Sequence, residues 1–437
     1  MLSVVRSLFT APDLRRKILL TLLVVAVARL GSAIPAPGVS FHNLQQCVQE
    51  VEGSGSPGVH ALLDLLSGGA LLRLSVFAVG VVPYITASII VQLLTVVIPR
   101  FEQLKRDGRS GQNTLTQYTR YLTIALATLQ ATATVALAQR GQLFSGCTLP
   151  VVPDTRALTV VTIVVVMVAG SALLMWLGEL VTEKGIGNGI SVLMLTSIAH
   201  RIPAEGRTVY ESAGPLAFAG VCVFALATIA SVVFVEQSQR RIPVQYAKRV
   251  VGRRMYGGTS TYLPLKLNQA GVVPVIFASS LLYVPSMITQ VLGEDAGVIG
   301  RIVQTHLADP SGPLHIALYA ALIVFFTYFY VGITFDPDER SEELKRFGGI
   351  VSGLRPGRPT ARYLRHVLSR ITLVGSLYLG VVAVLPSLFL GLTGGGGQSQ
   401  NLPLGGTAVL ILVGVALDTV KRVENQLMER SYGGFLR

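Results

Sequence analysis

An all-α polytopic membrane protein is what this sequence predicts, and three observations carry the prediction. The chain is 51% hydrophobic and only 14% charged, more apolar and less charged than a soluble globular average. Windowed hydropathy finds ten apolar spans, at 18–34, 74–98, 119–139, 157–178, 190–202, 214–235, 271–292, 314–334, 370–392 and 405–420, the fifth unusually short for a helix crossing hydrocarbon. The basic residues behind the net charge of +13 gather in alternate connections: the amino-terminal segment, 99–120, 236–269, 335–369 and the tail 421–437. By the positive-inside rule these are cytoplasmic. An even number of spans puts both termini on that side, so span count and charge agree.

Taken in order, span one follows Arg15, Arg16 and Lys17 as a signal peptide would, yet nine spans come after it, and it is read as a retained anchor. Arg29 lies near its exterior edge, within snorkelling distance of the interface. Proline and glycine predict a loop over 35–60. The run from Ala61 to Leu94 is then too long and too interrupted for one ordinary helix. A short apolar piece stops at Ser67, Gly68 and Gly69, and a spanning piece runs from Leu74 to Ile98. Backbone freed at such a break finds no water in hydrocarbon, so the half-helix must be buried in protein or line an aqueous cavity. That points to a channel or transporter.

Val81 and Ile85 fall on one helical face of the second piece, with Pro83 between them bending the path. Facing a cavity, such a pair would form an apolar constriction that gates by dewetting. From this segment alone, contact with lipid or a neighbouring helix is the commoner outcome. Span three carries Thr123, Thr128, Gln130, Thr132 and Thr134, and Gln92 and Thr95 are its counterparts on span two, a polar density suited to helix–helix contact. After span four, GIGNG lacks the preceding strand of a dinucleotide loop and reads as a turn with Asn188 capping the fifth helix.

The loop 240–268 alternates Ile242, Val244 and Tyr246 before a turn at Gly252, which predicts a projecting hairpin. Its charge serves topology, but topology needs only a few basic residues; an acidic partner or RNA accounts for the rest. In 335–369, FGGIVSGLRPGRPT presents Arg355 and Arg358 around Pro356, Gly357 and Pro359, a stiffened turn holding guanidiniums outward. Cys47 and Cys147 fall on exterior loops, where a bridge is chemically permitted, but the expectation is that they are unpaired. The six histidines lack metal-ligand spacing, and no metal or cofactor is expected. No GxxxxGKS/T loop is present, and ionisable residues are nearly absent from the middle of the spans. A passive conduit fits better than the alternative, an ion-coupled secondary transporter of a small solute. Five spans on either side of residue 213 would make two halves, 1–213 and 214–437, inverted relative to one another.

The segments SGGALLRLSVFAVGVVPYITASIIVQLLT, QYTRYLT, WLGELVTEKGIGNGIS, RRIPVQYAKR, STYLPLKLNQAGVVPVIFASS and GLRPGRPT, in this order, resemble bacterial SecY, the channel family of the Sec protein translocase, over essentially the whole chain. The resemblance implies ten helices in two inverted halves, closing like a clamshell on an hourglass pore with a re-entrant plug half-helix. It implies no enzyme activity. The pore ring it implies is Val81, Ile85, Met194, Ile276 and Ile411, with Met194 placed by counting from Ile190 and Ser191. The plug, about 62–71, would include Leu62, Leu63, Asp64, Leu65, Leu66, Ser67, Gly68 and Gly69, with Asp64 where the family has asparagine. A lateral gate between spans two and three and spans seven and eight would carry the polar residues Gln92, Gln130, Asn268 and Ser280. Arg240, Arg241, Lys248, Arg249, Arg253, Arg254, Arg355 and Arg358 would dock the SecA motor ATPase or ribosomal RNA. Further implied partners are SecE, SecG, SecDF, YidC, membrane lipid and signal-bearing polypeptides, at the bacterial cytoplasmic membrane.

Overall fold

The computed structural model describes residues 12–54, 67–139, 149–154, 156–246, 249–251, 254–256, 260–292, 312–392 and 406–433, together with 141 and 147. All ten predicted spans carry helix. Helix α1 is Pro12–Ala33, and α2, Phe41–Ser54, follows it. Span two is α3, Val82–Val97, bent by 101° into the short α4, Pro99–Arg106. Next come α5 (Arg109–Gln139), α6 (Ala157–Lys184) and α7 (Gly189–Gln237). A hairpin region follows, with β1 (Gln239–Tyr246), β2 (Arg249–Val251), β3 (Arg254–Tyr256) and β4 (Ser260–Lys266). The remainder is α8 (Val273–Leu292), α9 (Pro313–Thr334), α10 (Pro337–Arg346), β5 (Gly349–Val351), α11 (Arg358–Leu392) and α12 (Gly406–Gly433). Among the described residues, five helices, or six counting the bent α3–α4 pair, are long and apolar enough to cross a membrane.

Four expectations are corrected. Residues 74–81 are turns, not the first part of a spanning helix, and Pro83 lies in the first turn of α3 rather than bending its middle. The reason is positional: proline's missing amide costs nothing in the first turn of a helix, where that amide has no partner. Second, 202–213 is helical and belongs to α7, whose 49 residues are broken only where Gly214 takes φ 82° and ψ 174°. Positive φ there suits glycine, and Pro215 keeps its predecessor out of the helical region. The polar extension is supported by Arg207 and Glu211, paired one turn apart at 2.8 Å.

Third, the loop expected over 35–60 contains α2, which buries Leu44 and Cys47 three residues apart on one face. Fourth, Cys47 and Cys147 are bonded, with Cα atoms 5.3 Å apart. Asn43 Nδ2 donates to the Pro150 carbonyl at 2.9 Å and Ser40 N to Val151 O at 3.0 Å, so docking of α2 carries one cysteine to the other. Cys222 is the one free cysteine of the chain's three.

The threonines of α5 divide. Thr119, Thr123 and Thr134 are buried, as a packed face requires, whereas Thr128 and Thr132 are exposed and satisfy themselves by donating one turn back to Ile124 and Thr128 at 2.8 and 2.7 Å.

Beyond the membrane helices, β1 pairs with β4 from Gln239↔Lys266 to Gln245↔Ser260, the expected hairpin. The turn at Gly252 lies outside the described residues, between β2 and β3. A third strand was not foreseen: β5 adds to the other edge of β1 at Val244↔Val351 through Tyr246↔Gly349. It stops one residue short of Pro243, whose missing amide leaves no second ladder to join. Ile242 and Val244 point inward from β1 and pack with Leu265, Val351 and the α11 residues Leu364, Val367 and Leu368. The hairpin base is thus fixed to the first turns of α11.

Candidate functional site

Backbone constraints come before side-chain contacts at Val81. The turns over 67–81 are tied to the segment that follows α1, where Ala36 N donates to Leu74 O at 2.9 Å and Val76 N to Ile34 O at 3.0 Å. From the other side, Ser171 of α6 donates to the Gly80 carbonyl at 3.0 Å. Val81, where α3 begins, is therefore held by two neighbours, and Ile85 sits one turn further along. Met194 enters from α7, whose start is fixed by two oxygens: Asn188 Oδ1 accepts from Ile190 N at 3.2 Å and Thr182 Oγ1 from Gly189 N at 2.9 Å. Ile276 lies in the first turn of α8 and Ile411 in α12.

These five positions, drawn from four separated elements, meet. Val81, Met194, Ile276 and Ile411 belong to one buried apolar cluster with Phe77, Leu177 and Leu193, and Ile85 packs against it. Exposure separates them from lipid-facing positions: Val81 and Ile411 expose 4% and 2%, Leu158 and Leu216 expose 81% and 90%. These side chains form an aliphatic collar with no charged member, and separating them would cost packing without breaking a hydrogen bond between them.

Beside the collar, Arg29 Nη1 donates to the Gly68 carbonyl at 3.4 Å. Gly68 takes φ +69°, and a Cβ there would meet Arg29 and Ser197 at 3.0 and 3.1 Å, so only glycine fits this approach. Ser67 Oγ accepts from Leu71 N at 3.1 Å. Leu62, Leu63, Asp64, Leu65 and Leu66 lie outside the described residues.

The polar residues assigned to a lateral seam differ in their exposure and partners. Gln92 of α3 is exposed, and Gln130 of α5 and Ser280 of α8 are half-buried. Asn268 precedes α8 by a full turn and is engaged elsewhere: its Nδ2 donates to Glu236 Oε1 at 2.6 Å and to Gly271 O at 3.2 Å, joining the end of α7 to the approach of α8. Glu236 itself was missed; its one sequence signal is a lone acid at the cytoplasmic end of span six.

On the three-stranded sheet, Arg240 and Arg241 project from β1, and the Arg241 guanidinium lies 4.7 Å from the Tyr262 ring centre. Arg355, on the turn between β5 and α11, and Arg358, the first residue of α11, are exposed. Two neighbours are neutralised within the chain, Arg340 by Glu343 and Arg365 by Asp338, each at 2.6 Å. Among the described residues no ion pair engages Arg240, Arg355 or Arg358, which leaves their charge available to a partner. Lys248 and Arg253 lie outside the described residues, as do the side chains of Arg249 and Arg254.

Fold and site together define a multi-pass helical membrane protein with a buried apolar cluster among its helices and exposed arginines on the strands and turn outside them. The SecY family profile matches residues 75–420, and the chain belongs to that family. It is 62% identical over 442 residues to the protein translocase subunit SecY of Mycobacterium tuberculosis, with 100% of both chains covered. The corresponding subunit of Streptomyces coelicolor is 54% identical over 443 residues, again with 100% of both covered. Among solved structures, one described as the structure of a protein conducting channel superposes with a TM-score of 0.66 at 19% identity, covering 94% of this chain and 91% of that one. Sec61 in the canine ribosome–channel complex from the endoplasmic reticulum gives a TM-score of 0.62 at 18% identity over 94% and 91%. The fold is that of the SecY and Sec61 channels.

Proposed function

We propose that this chain is the channel-forming subunit of a Sec translocon. It passes unfolded, signal-bearing polypeptides across the bacterial cytoplasmic membrane and releases membrane segments sideways into lipid between α3 and α5 on one side and α8 and α9 on the other. The observation that carries this reading is the convergence of Val81, Ile85, Met194, Ile276 and Ile411, from four elements far apart in sequence, on one closed apolar cluster. An aliphatic collar yields to a threading chain and reseals against ions behind it, because what it gains and loses is non-directional packing. The segment 62–71, whose end is held at Gly68 by Arg29, acts as the exterior plug, and the halves 1–213 and 214–437 hinge about the pore.

In this reading the chain performs no covalent chemistry. Energy comes from partners, and Arg240, Arg241, Arg355 and Arg358 present unneutralised or ring-stacked guanidiniums to the SecA motor or to ribosomal RNA. SecE and SecG complete the complex, and both termini are cytoplasmic. A polypeptide stalled in transit, with a photoreactive residue at the arrested position, tests the reading. It should crosslink to Val81 and Ile276 in the same preparation. Crosslinks confined to lipid-facing Leu158 or Leu216 would overturn it.

A further inference from the structure

Arg355 is exposed on a tight turn, and a guanidinium on a free loop would have to be ordered at every encounter with a partner. Two buried hydroxyls restrict the backbone from which that side chain springs, which removes the loop's share of the ordering cost. Ser341 Oγ donates to the Gly357 carbonyl at 2.7 Å, and Thr360 Oγ1 donates to the carbonyl of Arg355 itself at 2.9 Å. Each of the two residues is 2% exposed. Pro356 between the pinned carbonyls has its own φ fixed and confines Arg355 to extended backbone, and Gly357 reverses the chain at φ +102°.

The partners these hydroxyls choose are the informative part. A buried serine or threonine in a helix ordinarily satisfies itself on its own helix, as Thr119 and Thr123 do with the carbonyls one turn back at 3.0 and 2.7 Å. Ser341 is the one buried residue of α10, an otherwise polar helix, and its hydroxyl instead crosses sixteen residues of sequence to the turn. Thr360, in the first turn of α11, reaches back out of its helix to Arg355. The turn is anchored below as well: Leu354 packs against the apolar cluster under the sheet and its N–H donates to Val351 O at 3.0 Å.

We propose that Ser341 and Thr360 are positioning residues for partner docking, their hydroxyls holding the Arg355–Gly357 turn so that the Arg355 guanidinium meets an acidic site on the motor already oriented. This rests on the docking reading above, and the test separates the two. Complexes carrying Ser341→Ala, Thr360→Val, Ser341→Thr or Arg355→Glu are reconstituted into vesicles, and ATP-driven translocation is measured against SecA concentration. Loss of one such hydrogen bond should raise the half-maximal SecA concentration about three- to tenfold, leave the maximal rate unchanged, and be restored by Ser341→Thr. A lowered maximal rate at unchanged half-maximal concentration is what fewer intact channels would give, and it would overturn the proposal. So would an unaltered curve for both Ser341→Ala and Thr360→Val while Arg355→Glu shifts it. If Arg355→Glu itself leaves the curve in place, the docking reading falls first and the positioning role with it.

Discussion

The collar and the arginine-bearing platform of strands and turn reach precision by opposite means. Around Val81, Met194, Ile276 and Ile411 the contacts are aliphatic and non-directional, so the site tolerates separation and re-closure as long as volume is conserved. Around Arg355 the contacts are directional: a three-stranded ladder, two buried hydroxyls on backbone carbonyls, and ion pairs that neutralise Arg340 and Arg365 while leaving Arg355 free. A part that must open for any sequence is built from packing. A part that must present one charge in one place is built from hydrogen bonds.

That contrast is broken most severely at the free charge. Arg355→Glu reverses it on a turn that stays fixed, so an acidic partner meets a like charge, and like-charge juxtaposition costs several kcal/mol. SecA-driven export in vesicles should fall by about thirtyfold or more, with the protein's own membrane insertion and resting ion conductance unchanged. Equal export would remove Arg355 from the platform. Next in size is the complementary change at the collar. Ile411→Asn places an amide with no partner among aliphatic side chains, at about 1 to 3 kcal/mol, and hydration of the constriction relieves it. Resting ion conductance should rise about tenfold while SecA affinity holds; conductance equal to wild type would mean that Ile411 does not seal the passage.

The two regions were also unequally legible. Ten spans, the sided distribution of charge and the hairpin could be read because each is written locally, in runs of apolar residues, in loop charge or in the alternation of Ile242, Val244 and Tyr246. Convergence of the collar residues was reachable only through resemblance, since Val81 and Ile411 are separated by most of the chain and look like any other membrane aliphatics. The β5 addition escaped because a three-residue strand carries no periodicity. The Cys47–Cys147 bond escaped because it depends on how α2 docks, which two cysteines a hundred residues apart do not reveal. The hydrogen bond between Asn268 and Glu236 escaped because the two lie 32 residues apart.

The smallest effect tests whether the contrast is as clean as stated. Met194 belongs to the packed collar, but the helix that delivers it starts on directional contacts, with Asn188 Oδ1 accepting from Ile190 N. Removing a cap of this kind costs about 1 kcal/mol, which should appear as a slightly lowered unfolding temperature of Asn188→Ala in detergent. Thr182 still accepts from Gly189 N, and the aliphatic neighbours of Met194 are untouched, so packing alone should keep the passage shut and conductance within about twofold of wild type. A leak of the size expected for Ile411→Asn would mean that the seal depends on a polar anchor as the platform does, and the division between a packed collar and a hydrogen-bonded platform would have to be given up.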